Sequence, residues 1–492
     1  MIYNIRDINE RFQLLHRCNM KVFERRRQRK QAIASRTVRR QRAKPEVQRD
    51  KHPNYWQSTW GQLIKRLASI EGGPSISSRD GKLFRRRFRV PYQAYCKLVT
   101  MCVEKRIFGV NSNLDTDVAN RDICPVEIKL LAVLRILGRN WNFDDIAEAT
   151  LMGETTARRA FHLFCENFVL QYYDQYVFRP KDEKLKKVME VFAKMGLPGC
   201  IGSTDCVHLK WDRCPVSLNQ VCSGKEGYPS LAYSCTVDHH RRILGATSSF
   251  YGARNDKTIV RHDTYITDVK NKNVHDDIQY SMFVNGLLKR VKGVYYICDG
   301  GYHRWSCMIN PIKHTISRGD RLWSEWVEST RKDVECTFGI LKSRWRFLRN
   351  GIVLQNQLLI DYAFFTCCIL HNFILEYDGL DCRWEEDVDW DQINPQPDNS
   401  DDGFDEESVI PSIQEMRILD RVDQWSSAVD KSDEENEALG NEIEAEIDYD
   451  FETKRRSLIE HFLHAYDAGL VKWPRAFSPD KKACYDKGRD LL

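Results

Sequence analysis

The chain has 492 residues, 42% of them hydrophobic, and carries 75 Lys and Arg against 70 Asp and Glu, a formal net charge of +5. These values predict a globular protein of about two to four domains rather than a disordered chain. No apolar run reaches the roughly 18 residues of a membrane span, and charges interrupt the N-terminus, so neither a span nor a secretory signal is expected. The 17 cysteines include no Cys-x-x-Cys pair, which favours free thiols in a reducing compartment over a zinc site.

The charges are distributed very unevenly along the chain. Residues 1–50 hold 15 Lys and Arg against 5 Asp and Glu, whereas residues 376–450 hold 27 Asp and Glu against 4 Lys and Arg. The remaining body is therefore basic, which predicts a polyanionic partner. The acidic segment is expected to compete for the same surface.

Composition and hydrophobic periodicity predict five parts. They are a largely flexible basic arm (1–80), a helical domain with a helix-turn-helix-like element (81–184), an α/β domain (185–375), a mostly disordered acidic linker (376–450) and a C-terminal helical segment (451–492). The arm fits nuclear import or nucleic-acid contact, and equally a solvated basic helix without either function.

The helical part contains a short helix, a turn at Met152-Gly153 and a second helix that begins near Glu154. This outline is that of a helix-turn-helix, with Arg158 and Arg159 on the exposed side of the second helix. Many helical hairpins share the outline without binding DNA. Contact between this element and DNA is therefore one of two open interpretations.

Three acids stand on separate elements of the α/β part. Asp205 lies in or at the end of a strand, Asp299 follows the short apolar strand Val294–Ile297, and Glu335 lies on an amphipathic helix beside its apolar stripe. Carboxylates supply the hard oxygen ligands that Mg²⁺ prefers. We expect them to meet at one edge of a sheet and to serve phosphoryl transfer.

Several motifs surround these acids. They are D-x-x-H at 205–208, D-G-G-Y at 299–302, R-x-x-x-E-x-x-F-G-x-L-K-x-R-W at 331–345 and L-H-N at 370–372. Together they resemble the PIF/Harbinger group of DDE transposases and the nucleases derived from it, over roughly residues 84–375.

The resemblance implies an RNase H-like catalytic domain, a mixed sheet flanked by helices, behind an all-α helix-turn-helix-like domain. It makes Asp205, Asp299 and Glu335 both the catalytic residues and the ligands of two divalent ions, Mg²⁺ or Mn²⁺. Asp256 occupies the place of a further, auxiliary acid, although a helix N-cap would explain it equally well.

The resemblance also suggests roles for residues around the acids. His208 and His371 are expected to support the site or the fold rather than to react. Lys342, Arg344 and Arg346 are expected to face DNA if the helix that carries Glu335 forms the rim of the site.

The function implied is metal-dependent cleavage and strand transfer of double-stranded DNA at the terminal inverted repeats of a transposon, in the nucleus, with no membrane partner. A Myb/SANT-like protein and a second copy of the chain are the implied protein partners. The alternative is a domesticated relative that binds DNA or chromatin without transposing. The intact acid trio favours the enzyme.

Overall fold

The computed structural model describes residues 53–109, 122–379 and 447–472. The first of its elements are seven helices: α1 (Thr59–Ala68), α2 (Arg79–Phe88), α3 (Tyr92–Glu104), α4 (Val126–Arg139), α5 (Phe143–Thr150), α6 (Glu154–Tyr176) and α7 (Asp182–Lys194). Residues 1–52 of the basic arm and most of the acidic segment lie outside the described residues, as does the expected competition of that segment for the basic surface.

The first described helix falls in the segment that we expected to be a flexible arm. Trp60, Ile64 and Leu67 of α1 recur at helical spacing and are buried. The Ser58 side chain caps the helix by accepting a hydrogen bond from Gly61 N at 3.0 Å. Residues 59–68 are therefore part of the packed protein, and the expectation of an arm up to residue 80 is corrected for them.

The second half of the chain contains both strands and helices. The strands are β1 (Cys200–Lys210), β2 (Ser230–Val237), β3 (Ile243–Ala246), β4 (Phe250–Tyr251), β5 (Gln279–Val284), β6 (Leu287–Lys292), β7 (Tyr295–Ile297) and β8 (Met308–Ile309). The helices are α8 (Asn219–Cys222), α9 (Asp256–Val260), α10 (Thr264–Lys270), α11 (Arg318–Arg344), α12 (Gln357–Tyr377) and α13 (Phe451–Asp467). The chain thus has the mixed α/β character that the sequence predicts.

The main sheet has the order β3-β2-β1-β7-β8, with β4 paired to β2. β1, β2 and β3 are antiparallel, whereas β7 runs parallel to β1 and β8 runs parallel to β7. β2 is buried along its whole length, as expected for a central strand covered on both faces. β5 and β6 form a separate hairpin.

α12 lies in the largest apolar cluster, where it packs with α6 and the sheet. Sixteen of its 21 residues are buried, as its nearly uniform apolar sequence predicts. By length and composition it would qualify as a membrane span, but 89% of the relevant window is buried inside the protein. The burial is that of the core helix of a packed domain.

α13 returns to the body of the protein after the acidic segment. Phe451, Leu458 and Phe462 join a second apolar cluster that includes Trp323 of α11. A Cβ added at Gly319 would lie 2.7 Å from Leu463, so glycine permits the close approach of α11 to α13. α13, which is the described helix of the predicted C-terminal segment, is thereby docked on the protein.

Candidate active site

Asp205 lies on β1, and Asp299 lies two residues beyond the end of β7, the neighbouring strand that runs in the same direction. β1 and β7 are parallel, with Ser203 opposite Ile297. Asp205 is two residues beyond Ser203, and Asp299 is two residues beyond Ile297. Because side chains alternate along a strand and neighbouring strands are about 4.8 Å apart, the two carboxylates emerge at the same level on the same face.

That face of the sheet is covered by α11. Val327 of α11 packs in the cluster that contains Ile297, and Arg331, one turn further along, reaches Asp205 at 3.0 Å. Glu335 follows after another turn, with its side chain 48% exposed. A single helix therefore brings the third acid to the edge where the two strand acids meet.

Arg331 joins three carboxylates. Its guanidinium bonds Asp205 at 3.0 Å, Glu328 at 2.5 Å and Glu335 at 2.9 Å, and only 6% of the side chain is exposed. Burial lowers the pKa of Arg331, but Glu328, then Asp205 and Glu335, outweigh burial and raise it above the ordinary value. The arginine therefore stays charged and acts as a cation inside the acid cluster.

The surroundings of Asp205 raise the pKa of its carboxyl group. Burial raises its pKa to about 7; Arg331 opposes this shift, whereas the charges of Asp256 and Asp299 add to it. One carboxylate oxygen accepts a hydrogen bond from Cys206 N at 2.8 Å. A positive charge placed near this buried carboxyl group, beside other acids, would stabilise its ionised form.

Asp299 occupies a turn rather than the strand itself. Its Oδ2 lies 3.4 Å from Gly301 N, and its carbonyl accepts a hydrogen bond from Tyr302 N at 3.2 Å. The side chain is exposed. The Gly-Gly turn thus presents this carboxylate to solvent directly beside the half-buried Asp205.

Asp256 lies close to the same group. The cap of α9 is Asn255, whose side chain accepts from Thr258 N at 2.9 Å, so Asp256 is the first helical residue and not the cap. Its carboxylate raises the pKa values of both Asp205 and Cys206, after burial of each group. The structure thereby brings the auxiliary acid together with the strand acids.

His208 and Lys342 meet at β1. Lys342 Nζ donates to the carbonyl oxygen of His208 at 2.9 Å, and the His208 ring contacts Ser230 Oγ at 3.2 Å. Burial lowers the pKa of both side chains. Lys342, two turns beyond Glu335 on the same side of α11, is thus held against the strand that carries Asp205.

His371 of α12 contacts Arg344, the last residue of α11. The His371 ring contacts the carbonyl oxygen of Arg241 at 2.8 Å and the guanidinium of Arg344 at 3.5 Å. Burial, followed by the charge of Arg344, lowers the pKa of His371 to about 3, so the imidazole is neutral. These contacts tie α12 to the turn between β2 and β3 and do not involve the three acids.

The remaining expected DNA contacts lie in two places. Arg158 and Arg159 are exposed near the start of α6, where Arg158 pairs with Glu154 at 2.7 Å. Arg346 lies just beyond α11, in the 3₁₀ turn Arg346–Leu348, among other arginines. Phe347 of the same turn packs against Phe161 of α6, with ring centroids 5.9 Å apart.

Asp205, Asp299 and Glu335 are the residues that would hold the divalent cations implied by the resemblance. Carboxylate oxygens are suitable ligands for Mg²⁺ and Mn²⁺. Across residues 53–109, 122–379 and 447–472, however, no three His, Cys, Asp or Glu side chains are gathered closely enough to hold an ion. The donor chemistry fits the cation, while the present arrangement places the guanidinium of Arg331 between Asp205 and Glu335.

Arg331 belongs to one of the sequence motifs, but the motif alone assigns it no role. A local signal was present, because Glu328, Arg331 and Glu335 follow one another at spacings of three and four, which places them on one face of a helix. The bond to Asp205 spans 126 positions, and no local pattern contains it.

Comparison with known proteins identifies related sequences. Residues 174–381 match the family described as "Plant transposon protein". This range begins within α6 and continues just past α12, so it includes the three acids, Asp256 and Arg331. The helices before α6 lie outside the match.

Three similar curated proteins carry the name "Putative nuclease HARBI1". The one from Bos taurus is 22% identical over 218 residues, and those from Rattus norvegicus and Mus musculus are each 21% identical over the same length. In each case the match covers 44% of this chain and 57% of the relative. The chain therefore spans little more than half the length of these relatives. No solved structure gives a significant match.

Proposed function

The chain is related to Harbinger-type transposases and to the nucleases derived from them, and from this relationship and the site we propose that it is a metal-dependent DNA endonuclease and strand-transfer enzyme of the DDE type. The observation that carries the proposal is the placement of Asp205 and Asp299 on one face of the sheet, with Glu335 joined to Asp205 through Arg331. The sheet, mixed and flanked by helices, is compatible with the RNase H-like fold expected of such enzymes.

In this proposal Asp205, Asp299 and Glu335 would hold the two divalent ions, with Asp256 beside them. The ions would supply the Lewis acidity that activates water or a 3′-hydroxyl group and stabilises the leaving oxygen. Asp205 would be a metal ligand of fixed orientation, since it lies on β1 and its carboxylate accepts a hydrogen bond from Cys206 N. Asp299 and Glu335, which are more exposed, would adjust to the DNA phosphate.

Arg331 would change partners when the site fills. Its bonds to Asp205 and Glu335 neutralise acids that a cation would otherwise neutralise. Its strongest partner, Glu328, could retain the guanidinium while the other two carboxylates turn towards the ions. The negative charge of the acids would thus be neutralised by Arg331 without the ions and by the ions when they are bound.

The proposed substrate is double-stranded DNA with terminal inverted repeats. The test incubates the purified chain with such DNA and Mg²⁺ or Mn²⁺, beside Asp299→Asn and a control, Asp467→Asn. Asp467 is an exposed acid at the C-terminal end of α13, where a negative charge adds nothing to helix stability. Metal-dependent nicking by the wild type and the control, lost in Asp299→Asn, supports the enzyme.

Binding of the DNA without cleavage in either metal would overturn the proposed activity and leave the domesticated DNA-binding protein as the function. Nicking that survives in Asp299→Asn would instead overturn the assignment of that residue.

Nuclear location, a Myb/SANT-like partner and self-association are proposals of the same kind. They follow from the relationship and from the basic residues 1–50. Imaging of a fluorescent fusion with and without these residues tests the first. Co-purification with a candidate Myb/SANT-like protein, and light scattering of the chain alone, test the other two.

A further inference from the structure

The C-terminal ends of α2 and α4 lie next to each other. The residue that caps α2 is Arg89, which has a left-handed backbone with φ of 67°, and the residue that caps α4 is Asn140, with φ of 57°. The Arg89 side chain crosses to α4 and donates to Gly138 O at 3.3 Å. A Cβ at Gly138 would lie 2.7 Å from Arg89 Cγ, so glycine leaves room for this crossing.

Arginines collect where these helices end. Arg135 donates to Arg87 O at 3.0 Å, and Arg139 donates to Arg86 O at 3.1 Å, so both guanidinium groups bind the terminal carbonyls of α2. Helix C-termini carry partial negative charge and attract cations. We call the group formed by Arg86, Arg87, Arg135, Arg139 and Arg346 the arginine cluster.

The arginine cluster keeps a net positive charge. Within the described part of the chain, none of its five members forms an ion pair with a carboxylate. Nε of Arg135 and Nε of Arg139 are buried and have no acceptor. The partial charge of a helix end offsets only about half an elementary charge, so the dipole does not neutralise the group.

Mutual repulsion of the arginines is visible in their pKa values. Burial, followed by the charges of Arg139 and Arg87, lowers the pKa of Arg135 to about 10. Burial, then Arg346 and Arg86, lowers the pKa of Arg139. Anionic oxygens placed beside the exposed side chains of Arg86 and Arg87 would relieve the repulsion.

A cleft of about 470 Å³ opens beside Arg87 and Arg135. Trp60 and Trp141 line it, with ring centroids 5.9 Å apart. The Arg135 guanidinium stacks 3.9 Å from the centroid of the Trp141 ring, which fixes the plane of the cation and directs its N–H groups sideways. Guanidinium groups held in this way suit the bidentate contact of phosphate oxygens.

α11 connects the cluster to the candidate active site. Arg346 follows Glu335 by 11 residues, which along a helix corresponds to about 16 Å, or roughly five base pairs of duplex DNA. A duplex held by a phosphate at Arg346 would therefore need only about five base pairs to reach the level of Glu335. Arg86 and Arg87 are exposed and available for this contact.

We propose that the arginine cluster at the joined ends of α2 and α4 is a phosphate-binding site that holds the DNA backbone next to the catalytic acids. The inference rests on the proposed function, because it names where the substrate of that site is held. It does not use the helix-turn-helix-like element.

The test measures binding of the full chain to a short labelled duplex of arbitrary sequence by fluorescence anisotropy, in EDTA so that no cleavage occurs. Salt is varied from about 50 to 200 mM, where phosphate contacts dominate the change in affinity. Three double variants are compared: Arg86→Gln/Arg87→Gln for the cluster, Arg158→Gln/Arg159→Gln for the helix-turn-helix-like element, and Lys105→Gln/Arg106→Gln as control.

The control pair is exposed at the C-terminal end of α3 and removes the same charge from the same helical region. The cluster variant should bind about tenfold more weakly, and its salt slope should fall by about 2, or ~0.9 for each phosphate that is no longer neutralised. The control should match the wild type. Because Arg86 and Arg87 are exposed, their replacement leaves the packing of α2 unchanged.

Two results would overturn the inference alone: equal weakening of DNA binding in the cluster and control variants, or weakening only in the Arg158 and Arg159 variant. The proposed function would survive either result. Absence of duplex binding by the wild type would overturn both.

Discussion

Arg331 Nη1 lies 3.0 Å from Asp205 Oδ2 and connects the longest helix of the site to the central strand of the sheet. The same guanidinium holds Glu328 and Glu335. Removal of the Arg331 charge would leave buried carboxylates without a cation. The free-energy cost of these unpaired charges is larger than the net stabilisation that the intact ion pairs provide. Arg331 therefore both neutralises the acids of the site and stabilises the fold around them.

We predict that Arg331→Gln lowers the free energy of unfolding by about 3 kcal/mol near neutral pH. The loss should shrink in mild acid, because protonation relieves the carboxylates left without a partner. Urea unfolding at both pH values measures this. Lys332→Gln, at the next and more exposed position, is the control. An equal loss at both pH values would show that Arg331 matters through packing and not through its charge.

We predict that Mn²⁺ raises the melting temperature of the chain in the absence of DNA. An ion that binds only the folded state stabilises it by RT ln(1 + [L]/Kd), about 1.4 kcal/mol at ten times Kd. EDTA should reverse the shift, and Asp299→Asn should abolish it, whereas Asp467→Asn should retain it. A shift that persists in Asp299→Asn would place the ion elsewhere.

We predict that His371 makes the protein less stable in acid. Its pKa falls from 6.5 to about 3 on folding, so the folded state binds fewer protons than the unfolded state between these values. The neutral imidazole costs no stability above pH 6.5. As the pH falls below this value the free energy of unfolding decreases, and the loss reaches about 2 kcal/mol at pH 5. His371→Gln keeps a donor for Arg241 O and should flatten the pH profile. Identical profiles would contradict the assignment of a neutral imidazole.

We predict that Phe462→Ala destabilises the protein by about 3–5 kcal/mol, because Phe462 of α13 is fully buried where this helix packs against α11. Thr453→Ala, at an exposed position of the same helix, should change stability by less than about 0.5 kcal/mol. Chemical denaturation compares the two. A small effect of Phe462→Ala would mean that α13 contributes little to the fold.

The sequence predicted the local setting of each acid well. Asp299 follows a short apolar strand and Glu335 lies on an amphipathic helix, because strand ends and helix faces leave periodic signals of their own. The placement of α12 in the core followed in the same way from its apolar composition.

Relationships between distant segments could not be predicted. Nothing local indicates that Arg331 meets Asp205, or that Arg86, Arg139 and Arg346 share one surface. α1 was not predicted although Trp60, Ile64 and Leu67 recur at helical spacing, because the helix has only 10 residues and follows a long basic stretch; contact with later helices buries these residues. The proposed function depends on such distant contacts.

One helix spans all of these features. α11 has 27 residues and is therefore about 40 Å long. Gly319 near its first turn contacts α13, Glu335 stands in its second half, and Arg346 follows its end. Between these points Arg331 bonds Asp205 and Lys342 bonds His208 O, so the helix is also fixed against β1. The spacing between the place where DNA would be gripped and the place where it would be cut is therefore set by the rise of one packed helix and not by a loop.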